Sequence, residues 1–449
     1  MRDRAWRWLW GWACLGLGVL CLGGEAAATP IYAIRSASTC DTCHIEPLGW
    51  KDPEKSTRLC TLDCNGCHVS LAGGGMRTPT GRFYGREAMP MWGTRPSEFG
   101  DPDKHRIKGY PDQGLYNLFD GFSGWWPGKV DMKTILDRFG DEDPDPTFAV
   151  GADARLALYA PLGESLVDKA LVFPMQGNVH LFGRAAENVS VYASGGLRGS
   201  RSKSEDIPVS EYFTLQEVFA KVDRLPYNTQ IRAGRYSPSF GWRVADHTSF
   251  IRRGLGFDQN RQVFGVDASY NPNYLIVQGG VFYQGLEAWE PLGEVNDPGV
   301  GASGIVGWRD LGWHLFGNLH YLNREEGYDD AAFGASWGVN LGPLVYLGEL
   351  DFQRRSGADA GLDDANGLFA YHEANWEILR GLSALLKYDW QDGNLDLKDD
   401  ELHRVTVGAQ WWPYTYVSLD AQYRLSFVGP FGGDALQLQD VLVFTHVAY

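Results

Sequence analysis

The chain has 449 residues and a formal charge of −16, with 40 Lys and Arg against 56 Asp and Glu. That acidity argues against nucleic acid as a partner, since binding phosphate needs a basic face.

Residues 1–28 read as a secretory signal peptide: Arg2, Arg4 and Arg7, an apolar run from Leu9 to Leu22, then Ala26-Ala27-Ala28 as a small-residue cleavage site. The apolar run is short and broken by glycines, which disfavours a membrane anchor helix. Leu20 before Cys21 disfavours a lipoprotein signal. Cleavage would remove three Arg and two acids, moving the charge from −16 to −17.

Residues 29–75 carry the chemistry. Cys40-Asp41-Thr42-Cys43-His44 and Cys64-Asn65-Gly66-Cys67-His68 are two C-x-x-C-H runs, the spacing at which two thiols add to the haem vinyl groups and the adjacent imidazole binds the iron. Two such runs behind an export signal point to two covalently bound c-type haems, held by Cys40, Cys43, Cys64 and Cys67 with His44 and His68 as proximal ligands. A structural zinc site or a pair of disulfides are the alternatives. Cys60 has no free partner in the exported chain, which leaves it a buried thiol or an intermolecular link. The segment is too short to bury two macrocycles and is expected to borrow its walls from elsewhere in the chain.

Residues 76–146 form a linker or plug region, rich in Gly, Pro and aromatics, with a short helix expected over 131–139 and a boundary at Asp141-Glu142-Asp143-Pro144-Asp145-Pro146. A stretch this long is expected to pack against haem or line a cavity. Met89, Met91 and His105 are candidate distal ligands, with Met76 also close to the second run; a Met in such a segment is otherwise packing. Arg77, Arg82, Arg86 and Arg95 are placed to pair with haem propionates, or else form a solvated face.

From Thr147 the pattern becomes period two. Thr415, Val417, Leu419, Ala421, Tyr423, Leu425 and Phe427 share one face, with Ser418, Asp420, Gln422 and Arg424 on the other. Sixteen such segments predict an all-β fold, a transmembrane antiparallel barrel of about sixteen strands over 147–449. Their spans are 147–159, 172–184, 187–199, 209–224, 227–237, 261–270, 274–284, 300–309, 311–323, 330–341, 343–355, 366–378, 380–391, 402–412, 415–427 and 434–449. Short and long connections alternate, as they do between the periplasmic and extracellular ends of outer-membrane barrels, and an even count leaves both termini periplasmic. A soluble β-sandwich has no reason to alternate its turns by length. The last segment ends on Tyr449, where such barrels commonly end on Phe.

The third long connection holds Phe240, Trp242, Arg243, His247, Phe250, Arg252 and Arg253. It carries too many aromatics for a solvated tip, so it is expected to fold into the lumen as a constriction. His247 would then approach a haem or substrate, or be a hydrogen-bonded structural residue. Acidic connections (Glu325, Glu326, Asp329, Asp330; Asp359, Asp363, Asp364; Asp396, Asp399, Asp400, Glu401) suit hard cations, or simply a solvated surface.

The order of parts is export signal, C-x-x-C-H runs, linker, then a sixteen-segment barrel. It resembles the fused cytochrome–porins of the outer membrane known from iron-oxidising bacteria, here with two haem motifs where those members have one. The resemblance implies an electron conduit between an extracellular donor or acceptor, ferrous iron among the candidates, and periplasmic electron-carrier cytochromes, with outer-membrane lipid around the barrel. An apolar band about 25 Å tall also insulates unless a redox group sits inside. Other readings are a solute porin with a periplasmic haem sensor or anchor, and a sleeve for a separate multihaem cytochrome. No catalytic residue is assigned.

Overall fold

A computed structural model describes residues 68–71, 73, 75–78, 81, 147–162, 169–198, 213–244, 246, 248–257, 261–272, 274–285, 298–309, 313–325, 327–341, 344–357, 364–379, 382–414, 417–429 and 436–448. Sixteen strands follow one another: β1 Phe148–Pro161, β2 Leu171–Ala186, β3 Val189–Arg198, β4 Phe213–Leu225, β5 Thr229–Tyr236, β6 Val263–Tyr270, β7 Leu275–Gln284, β8 Gly299–Arg309, β9 Trp313–Arg324, β10 Asp329–Leu341, β11 Leu344–Ser356, β12 Ala365–Leu379, β13 Leu382–Asp392, β14 Leu402–Tyr414, β15 Val417–Val428 and β16 Leu436–Ala448. Each pairs antiparallel with its neighbours in sequence, and β1 pairs with β16 to close the barrel. Closure leaves no strand edge unpaired, the condition for a sheet to cross hydrocarbon.

Burial is inverted relative to a water-soluble sheet. On β2, Val179 is 52 % and Leu181 44 % exposed, while His180 between them is 2 % exposed. On β9, Leu315, Leu319 and Tyr321 are exposed while His314, Asn318 and His320 are buried. On β11, Glu349 and Asp351 are buried. Apolar side chains thus face out and polar ones in, because successive strand residues point to opposite faces. This inside-out alternation excludes the β-sandwich.

The expected strands match the observed ones to within a few residues. The largest difference is β4, expected from residue 209 and beginning at Phe213. Tight connections at 187–188, 226–228, 271–274, 310–312, 342–343, 380–381 and 415–416 alternate with generally longer ones; the contrast is weakest at 325–328. The longest, 237–262, contains a single helical turn, α1, Phe250–Arg253.

Candidate functional site

Among the described residues, two segments occupy the lumen. The first follows directly on the second C-x-x-C-H run. His68 and Arg77 form an antiparallel bridge, the Val69 amide donates to the Met76 carbonyl (3.0 Å) and the Gly73 amide to the Ser70 carbonyl (3.0 Å). Gly73 and Gly75 take φ of 76° and 59°, the left-handed region that a tight turn asks of glycine. The result is a small hairpin over 68–77. It is seated in the barrel: His68 is 7 %, Ser70 0 % and Met76 2 % exposed.

The barrel wall holds this hairpin by its polar atoms. The Ser70 hydroxyl donates to Glu217 Oε1 (3.3 Å) and accepts from Arg232 Nη1 (3.3 Å). Lys221 Nζ donates to the Val69 carbonyl (3.4 Å) and Arg243 Nη1 to the Gly73 carbonyl (2.8 Å). Val69 and Met76 pack with Phe182, Tyr192, Phe219, Tyr236, Val263, Phe282 and Leu322, a cluster lined by β2–β7 and β9. Beneath it runs a polar relay. The Met76 amide donates to the Tyr192 oxygen (3.4 Å), that hydroxyl lies 2.9 Å from His180 Nδ1, and His180 Nε2 lies 2.6 Å from Asp153 Oδ2. With Asp153 ionised, Nε2 carries the proton and Nδ1 accepts from Tyr192.

The second segment is the 237–262 connection, which folds inward as its aromatic content predicts. Phe240, Trp242, Val244, Ile251, Leu255 and Phe257 pack on Ala332, Val345, Leu347, Phe369 and Tyr371 of β10–β12. The Trp242 amide donates to Glu349 Oε2 (2.6 Å) and its indole to the Gly348 carbonyl (3.0 Å). Farther round, Lys387 Nζ meets Asp246 at 3.2 Å, and Arg404 and Arg424 donate to Thr248. The connection therefore reaches the wall opposite β5, and it constricts the lumen. Arg252 is buried and Arg253 is exposed, while Arg243 bridges to the hairpin.

Of the sequence-predicted site residues, His68 lies in the lumen on the hairpin. Met76 turns into the apolar cluster, and Arg77 stands opposite His68. Cys40, Cys43, His44, Cys64, Cys67, Met89, Met91 and His105 lie outside the described residues, as do Arg82, Arg86, Arg95 and His247. Among the described residues, no group of three or more His, Cys, Asp or Glu is disposed to hold a metal ion, and the acidic connections are in part occupied otherwise: Asn323 donates to Asp329 (2.7 Å), and Arg324 meets Asp330 at 3.4 Å.

The sequence reading missed the lumenal histidines His180, His314, His320 and His446. Each sits at the inward position of an alternating strand, which marks it as lumenal but does not set it apart from the other inward polar residues. They differ in their surroundings. His180 is hydrogen-bonded at both ring nitrogens. His320 is enclosed by the rings of Phe240, Phe257 and Phe282. His314 lies edge-on to Trp242, with centroids 4.5 Å apart. His446 stands directly across from Arg155 on β1 and Ser418 on β15, and its Nε2 is buried with no hydrogen-bond partner among the described residues.

No family model matches the chain, and no curated protein matches it. Solved structures do. OmpT of Vibrio cholerae with loop L8 deleted aligns at 9 % identity and a TM-score of 0.51, covering 68 % of this chain and 99 % of that one. The anion-selective porin of Comamonas acidovorans aligns at 12 % identity and 0.50, covering 67 % and 99 %. Pseudomonas putida OprB aligns at 9 % and 0.50, covering 72 % and 98 %. At such identities the likeness speaks for the fold alone: the barrel is a closed, sixteen-strand antiparallel structure of the outer-membrane porin type.

Proposed function

We propose that this protein is an outer-membrane electron conduit. Two c-type haems, on Cys40, Cys43 and His44 and on Cys64, Cys67 and His68, stand inside or at the mouth of the porin-like barrel. They link an extracellular donor or acceptor to a periplasmic carrier cytochrome. The observation that carries this reading is the place of His68: the residue expected to bind the second iron is buried in the lumen, on a hairpin that the wall clamps through Glu217, Lys221 and Arg232. A bound haem supplies one-electron exchange; the chain supplies the enclosure and the tether. On this reading both termini are periplasmic, and the chain belongs with the fused cytochrome–porins.

The test uses purified full-length protein in vesicles that enclose a reducible dye, with a membrane-impermeant reductant outside. Dye reduction that depends on the protein is expected; its absence, with both haems present, would sink the conduit.

A second reading has the porin-like fold itself behind it: a solute porin whose haems serve a periplasmic sensor or anchor. The inward-folded 237–262 connection favours it, because it narrows the lumen while docked to the wall through Glu349 and Asp389, and a narrowed lumen is what a selective diffusion pore requires. Planar-bilayer conductance separates the two. A wide, steady pore supports the porin, and a nearly closed one supports the conduit.

A further inference from the structure

We propose that His446, near the end of the last strand, is the second axial ligand of the haem carried by Cys64, Cys67 and His68. The proposal rests on the haem reading above and names the wall residue that completes the site.

Three observations meet at this position. His68 and Arg77 are directly opposed in an antiparallel bridge, so their side chains leave the hairpin on the same face. Gly75 and Met76, just before Arg77, stand against His180 and Tyr192, and His180 bonds Asp153 of β1, two residues from the Arg155 that pairs with His446. The face that carries the proximal imidazole thus looks toward the β1–β16 seam. His446 points inward from that seam: its neighbours Thr445 and Val447 occupy the outward positions, and Asp440, six residues earlier, bonds Arg424 within the lumen. Finally, His446 Nε2 is buried with no hydrogen-bond partner among the described residues. A buried imidazole nitrogen is normally satisfied; His314 and His320 also carry such nitrogens, but they stand on β9, across the barrel from the seam that the hairpin face addresses.

Among the described residues, the other lumenal histidines are already engaged or stand away from the β1–β16 seam. Both nitrogens of His180 are engaged, His320 is enclosed by three phenyl rings, and His314 lies against Trp242 and Phe316. His372 and His403 lie on the opposite face of their strands from the buried Glu373 and Arg404, so they face outward. Arg155 is the direct cross-strand neighbour of His446, and with Arg77 it brings two guanidinium groups to the same place. That is where two propionates would be met by bidentate donors. β16 ends at Ala448 and β15 begins at Val417, so the second haem sits at the barrel mouth that carries the short turns.

The test is spectroscopic, on full-length protein in detergent, with haem content counted as the pyridine haemochrome. Low-temperature EPR and near-infrared magnetic circular dichroism of the wild type are expected to show at least one haem with two imidazole ligands. In His446→Met that haem should acquire an imidazole–thioether signature and a higher midpoint potential, with the other haem unchanged. In His446→Gly one of the two haems should turn high-spin and return to low-spin on addition of imidazole, a rescue that a purely structural role does not produce. A wild type in which neither haem has two imidazoles overturns the proposal whether or not the variants fold. So do unchanged spectra in both variants at full haem content. Absence of covalent haem from the wild type overturns the conduit reading instead, and this assignment with it.

Discussion

Arg232 shows how much of the lumen rests on single side chains. It is fully buried on β5, donating to Asp267 at 2.7 Å, to the Ser237 carbonyl at 3.1 Å and to Ser70 at 3.3 Å, with its guanidinium 4.2 Å from the centre of the Tyr236 ring. One residue thus joins the wall, the start of the inward connection and the hairpin. Removing one member of a buried ion pair leaves the other charge uncompensated, at about 3–5 kcal/mol. Asp267 would keep only Ser239 and Gln278 as donors. Arg232→Met is therefore expected to lower stability by about that amount in urea titrations of the vesicle-inserted barrel. The double variant Arg232→Met/Asp267→Leu should recover more than half of the loss, because it removes the stranded charge. If the single variant costs less than ~1 kcal/mol, as an exposed pair would, the clamp is not what holds the hairpin.

The inward connection and the strands around it answer to different physics. Gly241 has φ of +49°, and a Cβ there would fall on the Glu349 carboxylate. Alanine in the left-handed region costs roughly 1–2 kcal/mol, and the clash would also break the Trp242 amide bond to Glu349. Gly241→Ala should free the connection from β10–β12. Trypsin is expected to cut the variant after Arg243, Arg252 or Arg253 within minutes and to spare the docked wild-type connection; equal resistance of the two would contradict the docking. Strands such as β9 and β15 were legible in the sequence because lipid and lumen demand opposite side chains at every step, which writes a strong period of two. The inward fold of the connection was legible only through Phe240 and Trp242, which no solvated tip would carry. The hairpin left no such trace. Its pattern is too short for a period, and its seat depends on partners such as Glu217 that lie 147 residues from Ser70. The lumenal histidines were hidden for a related reason. An inward His reads as one more polar residue until the closed barrel brings the end of β16 beside β1.

Across the whole molecule, the two inserts meet at β4–β6 and β9 and diverge from there, and this makes electron and ion traffic separable. The hairpin seats against β2–β7 and β9, while the 237–262 connection crosses to β10–β15. Arg243, Arg232 and Glu217 each touch both inserts, and Lys221 holds the hairpin from the wall without touching the connection. Ser70 is wholly buried between Glu217 and Arg232, so Ser70→Leu overfills its site by about 1–3 kcal/mol and takes away both hydrogen bonds. For so small a hairpin that should be enough to unseat it. The variant is expected to raise single-channel conductance and slow dye reduction in vesicles, with haem content unchanged because every Cys and His of the two runs remains. Gly241→Ala is expected to raise conductance as well, but to leave dye reduction near the wild-type rate, because the hairpin stays seated. Ions would pass wherever either insert lets go, whereas electrons would depend on one of them alone. Equal slowing of dye reduction in both variants would show instead that the inserts act as a single plug, tied by Arg243, Arg232 and Glu217.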